Sequence, residues 1–235
     1  MSTFRFQQFQ IEDNKSTMKV GTDAVLLGIW TKIHPNCRNI LDIGSGCGVI
    51  SLMLAQKCDA HILGIDIDKN SIQQARQNAE ISPWNKRVNF EEISLQNFCQ
   101  PVRYQSFDII VSNPPFFVNS LHSPHQGRNL SRHTDTLPYA ALAKGVAYCL
   151  KKEGVFYTVL PTQSADILIS LLQTESIFLQ KCLQILSYPS APPKRVLLCF
   201  SKEYKPLQTE TFTLRHQNRE FTDEYIQFTK EYYLW

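Results

Sequence analysis

No two of the seven cysteines are spaced as C-x-x-C, and the number is odd. Neither a zinc site nor a disulfide framework is indicated, and no metal is expected. Scattered cysteines of this kind read as small core residues in a reducing compartment. No apolar run is long enough to span a membrane, and residues 1–15 lack the apolar stretch of a signal peptide. The expected location is the cytoplasm. Charge of one sign is also scarce: 24 Lys and Arg face 21 Asp and Glu, and the net +3 alone does not argue for nucleic acid. Internal repeats and low-complexity segments are absent. Hydrophobic residues make up 43% of the 235 and charged residues 19%, which excludes disorder. Such a chain is long enough for one large domain with a small extension.

What is present is an alternation of strand and helix patterns. Short apolar runs at 39–43, 61–65, 88–93, 107–112 and 154–160 read as strands. Between them, 49–56, 70–81 and 136–151 read as helices, with a further helix at 165–174. This order implies a mostly parallel sheet covered on both faces. Two late strands, 178–188 and 195–201, have no helix between them and are expected to pair as an antiparallel hairpin. Thr22 or Asp23 is expected to cap an early helix from Ala24 to about Ile33, and Phe221 to Trp235 to form a last, aromatic-rich one. Lys151 and Lys152 are expected to end the 136–151 helix favourably.

The turn after the first strand of the sheet reads L-D-I-G-S-G-C-G, with glycines at 44, 46 and 48. Glycine allows a tight turn and close approach to a ligand. A dinucleotide fingerprint would place its third glycine at Val49, so the spacing speaks against NAD. Asp42, just before the turn, suits a ligand bearing positive charge and would repel a pyrophosphate. Asp66 ends the second strand of the sheet, where a carboxylate can accept from ribose hydroxyls. Asp68 shares that reading, with the start of the next helix as its alternative role. Val20, Gly21 and Thr22 precede the early helix, whose backbone N–H groups can hold a carboxylate, and an ordinary helix start is an equal reading.

Asn113-Pro114-Pro115-Phe116 follows the strand FDIIVS. The exocyclic amine of adenine is a poor nucleophile, because its lone pair is delocalised into the ring. The Asn113 side-chain carbonyl and the Pro114 backbone carbonyl can each accept one amino hydrogen and free that lone pair. The prolines stiffen the turn, and Phe116 offers a face for a flipped base. By itself the tetrapeptide is also a plain turn signal. After it, 118–135 is a long irregular stretch of the kind that is usually functional. Arg128, Arg132 and His133 within it are candidate RNA contacts, with Lys194 and Arg195 as a second candidate group.

With these motifs in place, the chain resembles the bacterial tRNA1(Val) (adenine-37-N6)-methyltransferase family. The resemblance runs over nearly the whole chain. It covers M-K-V-G-T-D at Met18–Asp23, L-D-I-G-S-G at Leu41–Gly46, S-P-W at Ser82–Trp84, S-N-P-P-F at Ser112–Phe116, R-V-L-L-x-F-S at Arg195–Ser201, and the tail from Glu224 to Leu234. It implies a class I, Rossmann-like methyltransferase, α/β and doubly wound, with a seven-stranded, mostly parallel sheet. It implies transfer of a methyl group from S-adenosylmethionine to N6 of an adenine in valine tRNA. Cofactor contacts would fall to Val20, Gly21, Thr22, Asp42, Gly44, Gly46, Asp66, Ser94 and Asn113. At Ser94 the family often has an aspartate that bonds the cofactor's adenine, and a hydroxyl can also accept there. The expected organisation is one domain over 1–235, with an arm at 1–20, a substrate loop at 118–135 and an extension at 204–235 packed on the core. A monomer is expected. Guanine-N2 methylation of ribosomal RNA, glutamine-N5 methylation of a protein, and a non-catalytic RNA-binding module on the same fold are the alternatives.

Overall fold

The computed structural model describes residues 3–16, 18–115 and 137–235. The expectations for Phe116, Arg128, Arg132, His133 and the 118–135 loop lie outside the described residues. The chain opens with a small antiparallel hairpin, β1 (Thr3–Arg5) and β2 (Gln10–Glu12), in which Phe4 faces Ile11. Then come α1 (Thr22–Trp30), β3 (Asn39–Ile43), α2 (Val49–Ala55), β4 (His61–Asp66), α3 (Lys69–Glu80) and β5 (Val88–Glu92). A single turn, α4 (Leu95–Phe98), precedes β6 (Phe107–Ser112). After 116–136 follow α5 (Tyr139–Cys149), β7 (Leu150–Pro161), α6 (Thr162–Thr174), β8 (Phe178–Leu186), β9 (Arg195–Ser201), β10 (Gln208–Thr213) and α7 (Asp223–Thr229).

Strands β3 to β10 form one sheet in the order β10-β8-β9-β7-β6-β3-β4-β5. Only β9 runs antiparallel, against both of its neighbours, so the expected β8–β9 hairpin is present. All other pairs are parallel, and the carboxyl ends of β3, β4 and β6 meet at one edge. The central strands read as nearly continuous apolar runs because both faces are covered. Ile40, Ile62, Ile109 and Val111 pack with α1, α2 and α3 on one face. Leu41, Ile43, Ile65 and Ile110 pack with α4, α5 and α6 on the other. Each fully buried aliphatic side chain contributes about 1.5–3 kcal/mol, and these two layers hold the strand ends in register.

Among the described residues the sheet has eight strands where seven were expected. The extra one, β10, pairs parallel with β8 at the edge and buries only Phe212. Its sequence, QTETFT, lacks an apolar face, and backbone ladder bonds carry it. The 136–151 helix ends at Cys149. Lys151 belongs instead to β7, and its ammonium meets the Asp108 carboxylate at 2.6 Å. The last helix covers only Asp223–Thr229. Beyond it, the N–H groups of Tyr232 and Tyr233 both return to the Thr229 carbonyl at 2.9 Å. That reversal brings the Tyr232 hydroxyl to the Met53 carbonyl at 3.1 Å, and the Tyr232 carbonyl accepts from the Gln7 N–H at 2.9 Å. The aromatic tail therefore packs on the core and on the N-terminal arm.

Candidate active site

The site grows out of the strand ends. Beyond Ile43 the backbone turns through positive φ at Gly44 (73°), Gly46 (53°) and Gly48 (84°), a region that L side chains avoid. The N–H groups of Gly44 and Ser45 both donate to the Ile65 carbonyl, at 2.8 and 3.0 Å, which ties the turn to the end of β4. The third glycine serves packing as well. A Cβ on Gly48 would lie 2.7 Å from Phe90 Cζ, whereas one on Gly44 would meet nothing within 4 Å.

Asp66 joins the turn to the next helix. Its Oδ2 accepts from the Gly46 N–H at 2.9 Å and its Oδ1 from the Asp68 N–H at 2.9 Å. Burial raises its pKa above the ordinary carboxylate value, although these backbone donors oppose the shift. Asp68 caps α3, with the Ser71 N–H donating to it at 2.7 Å, and it also lines the cavity described next. Its cap role is the alternative left open by the sequence.

A cavity of about 740 Å³ opens at this edge. Its walls are the glycine turn, Asp66 to Asp68, the segment Ile93 to Gln96, and Asn113 to Pro115. Met18, Lys19 and Ala24 close one side and Leu137 another. The structure thus brings together Gly44, Gly46, Asp66, Ser94, Asn113 and Pro114 from the expected set. Ser94 also caps α4, its Oγ accepting from the Asn97 N–H at 3.3 Å. Asn113 lines the cavity, and its Oδ1 is buried with no hydrogen-bond partner among the described residues. An unpaired buried acceptor is costly, so it is a position for a donor to arrive.

Four expected residues are not in the wall. Asp42 is fully buried beneath the turn; the Ser51 hydroxyl donates to its Oδ2 at 2.7 Å and its Oδ1 is unpaired. Loss of solvation pushes its pKa up from 3.8 to about 7. It lies under the turn, outside the lining of the cavity. Val20, Gly21 and Thr22 also stand back from the cavity. The Val20 N–H donates to Asp13 Oδ2 at 3.0 Å, and Gly21 precedes α1 in extended conformation. Neither Thr22 nor Asp23 caps that helix: no side-chain cap bond is present, and Asp23 takes the Arg195 guanidinium at 2.7 Å. Sequence reasoning missed Lys19 as a wall residue. Its ammonium lies 3.5 Å from Asp13 Oδ1 and donates to the Asp13 carbonyl at 2.7 Å. The signal was available, as a cation immediately before a helix start. Among the described residues no cluster of ligating side chains fits a metal, and no helix is long and apolar enough to cross a membrane.

A doubly wound sheet that opens a nucleoside-sized cavity over a glycine turn, with an asparagine–proline pair across it, defines a class I methyltransferase. The family model described as the methyltransferase small domain matches residues 15–165. A tRNA1(Val) (adenine(37)-N6)-methyltransferase of Phocaeicola vulgatus is 41% identical over 231 residues, covering 98% of this chain and 97% of that protein. One of Trichodesmium erythraeum is 38% identical, with 98% and 97% covered. The chain belongs to the tRNA1(Val) (adenine(37)-N6)-methyltransferase family. Among solved structures, a protein of Agrobacterium tumefaciens described as a predicted O-methyltransferase superposes with a TM-score of 0.71 at 14% identity, covering 89% of this chain and 96% of that one. A geranyl diphosphate C-methyltransferase of Streptomyces coelicolor, solved with S-adenosyl-L-homocysteine, gives 0.55 at 11% identity, with 76% and 75% covered. These two likenesses speak for the fold.

Proposed function

We propose that the chain transfers the methyl group of S-adenosylmethionine to the N6 amine of adenine 37 in valine tRNA. The observation that carries this reading is the buried, unpaired Asn113 Oδ1 on the wall of the cofactor-sized cavity. The relatives' printed names supply the choice of base and of RNA.

The residues present fit the cofactor. When bound, S-adenosylmethionine supplies an electrophilic methyl group on a sulfonium. Lys19 is the one cation among the described wall residues and would hold the methionine carboxylate. Each Asp66 oxygen has one backbone N–H upon it and keeps a lone pair for a ribose hydroxyl. Ser94 to Gln96 would border the adenine. On the substrate side, Asn113 Oδ1 and the Pro114 carbonyl accept the two amino hydrogens of the target adenine. The nitrogen then becomes pyramidal, and its lone pair points away from the ring. No strong base is required, since the methylated ammonium gives its proton to water. Phe116 as a stacking face, and Arg128, Arg132 and His133 as phosphate contacts, complete the proposal, as does a cytoplasmic monomer of one domain.

The test is a nucleoside digest of valine tRNA after incubation with the protein and S-adenosylmethionine, read by mass spectrometry. N6-methyladenosine at the anticodon-adjacent adenine is the expected product. Methylation appearing only as N2-methylguanosine in ribosomal RNA, or as N5-methylglutamine in protein, would overturn the assignment.

A further inference from the structure

Fifty residues apart in sequence, Cys99 and Cys149 meet with their sulfurs 3.9 Å apart. The other five cysteines have no sulfur partner within hydrogen-bond range. Cys99 is half-buried and reachable, and Cys149 lies behind it in the core. Two cations act on the Cys149 end of the pair. Arg103 sits over the Phe98 ring at 4.7 Å, and the Lys202 ammonium donates to the carbonyls of Ala147 and Leu150 at 3.0 and 2.7 Å. The thiol–thiol contact lowers the Cys99 pKa and raises that of Cys149. Cys99, the reachable sulfur, is the one an oxidant meets first, and the buried Cys149 is the waiting partner.

The pair also has a mechanical connection to the cavity. Cys99 ends the one-turn helix α4, its N–H donating to the Leu95 carbonyl at 3.1 Å. The other end of that turn, Ser94 to Gln96, is cavity wall. Leu95 is wedged on Gly145 of α5, where an added Cβ would fall 2.5 Å from Leu95 Cδ2. A disulfide has an S–S length near 2.05 Å, so the sulfurs must close by roughly 2 Å, and whatever part side-chain rotation does not supply draws the end of α4 toward α5. With Leu95 already in tight contact, such a pull is relieved by tilting the turn, which moves Ser94 and Gln96 with it.

We propose that Cys99 and Cys149 form a reversible disulfide that weakens the cofactor's hold at the Ser94–Gln96 wall; the second half rests on the cofactor reading of the cavity. The oxidant is a peroxide. The Cys99 thiolate attacks one peroxide oxygen, the O–O bond breaks, and hydroxide leaves and takes up a proton as water. Cys99 is then a sulfenic acid. The Cys149 sulfur attacks the Cys99 sulfur, the S–O bond breaks, the thiol proton goes to the departing hydroxide, and a second water forms. The two sulfurs lose two electrons and the peroxide gains them. A dithiol reverses the change by exchange.

The full chain is treated with hydrogen peroxide, its remaining thiols are blocked, and it is digested with trypsin. The peptide spanning 88–103 should appear joined to that spanning 145–151, and Cys149→Ser should abolish the joined species. Calorimetric titration with S-adenosylmethionine should show affinity reduced about fivefold or more after oxidation. Dithiothreitol should restore it, and peroxide should leave Cys149→Ser unaffected, which separates the disulfide from oxidation of Met18. Absence of the joined peptides overturns the disulfide. Joined peptides with unchanged affinity overturn its coupling to the cavity. A reduced protein that does not bind the cofactor at all counts against the proposed function and leaves the peptide result to stand by itself.

Discussion

The Ser112 hydroxyl donates to the Ile43 carbonyl at 2.8 Å. Each residue is the last of its strand, so this bond pins the Asn113-Pro114 corner to the start of the glycine turn. Asn113, proposed to meet the substrate amine, and the glycine turn, proposed to meet the cofactor, thus share one fixed spacing. Ser112→Ala leaves that carbonyl short of a donor in a fully buried position and should cost about 1–3 kcal/mol, read from denaturant unfolding. No loss of stability would mean the strand pairing alone sets the spacing.

Asn113→Ala removes one of the two acceptors proposed for the target amine. Methyl transfer should fall roughly a hundredfold or more, as for loss of a preorganised polar partner in other active sites. Cofactor affinity should stay within a small factor of the parent. Single-turnover rates beside calorimetry separate the two, and parallel losses in both would place Asn113 in cofactor binding instead.

Asp66→Ala strips the carboxylate from between Gly46 and Asp68. Cofactor affinity should drop about tenfold or more, the range expected for a lost charged hydrogen-bonding group. The raised pKa of Asp66 adds a pH signature: its negative charge is lost on acidification earlier than an ordinary aspartate's. Affinity should therefore weaken on acidification at a higher pH than an ordinary aspartate would set in the parent, and stay flatter in Asp66→Ala.

Asp42 carries a stability signature of opposite sense from a paired carboxylate. Its pKa rises from 3.8 to about 7, so the native state binds the proton more tightly than the unfolded chain does. Stability then falls as pH climbs through that window. Asp42→Asn stays neutral and keeps an acceptor for Ser51. It should unfold later than the parent above neutral pH, by something on the order of 2–4 kcal/mol, and the advantage should vanish in acid. Equal pH profiles for the two proteins would show that Asp42 ionises without penalty.

Gly44→Ala and Gly48→Ala should differ in cost. At position 44 only the positive φ is penalised, by about 1–2 kcal/mol. At position 48 the same strain joins a clash with Phe90, and overpacking adds roughly 1–3 kcal/mol more. Melting temperatures of the two variants test this, and equal shifts would show that Phe90 gives way freely.

Several elements were legible because their signals are local. The runs NILDI, FDIIVS and RVLLCFS became strands with the expected bounds, since each is apolar on both faces of a covered sheet. The glycine turn, Asp66 and Asn113 also stand where the spacing put them, at strand ends on one edge. Strand β10 was not legible. Four of its six residues are exposed, and what holds them is a backbone ladder to β8, which no side-chain pattern announces. The early end of α7 comes from a tail that turns back to Gln7 and Met53, more than 170 residues away in sequence.

The amino-acid sequence by itself determined which strands exist, where the chain turns, and which residues end up on the ligand edge, because periodicity and glycine spacing are properties of neighbouring residues. Tertiary structure decided what each of those residues faces. It sank Asp42 under the turn it was expected to arm, brought Lys19 into the cavity wall, and gave Asp23 to Arg195. It also placed two of the scattered cysteines 3.9 Å apart. Burial and contact depend on how separate elements pack, and distances along the chain do not encode that.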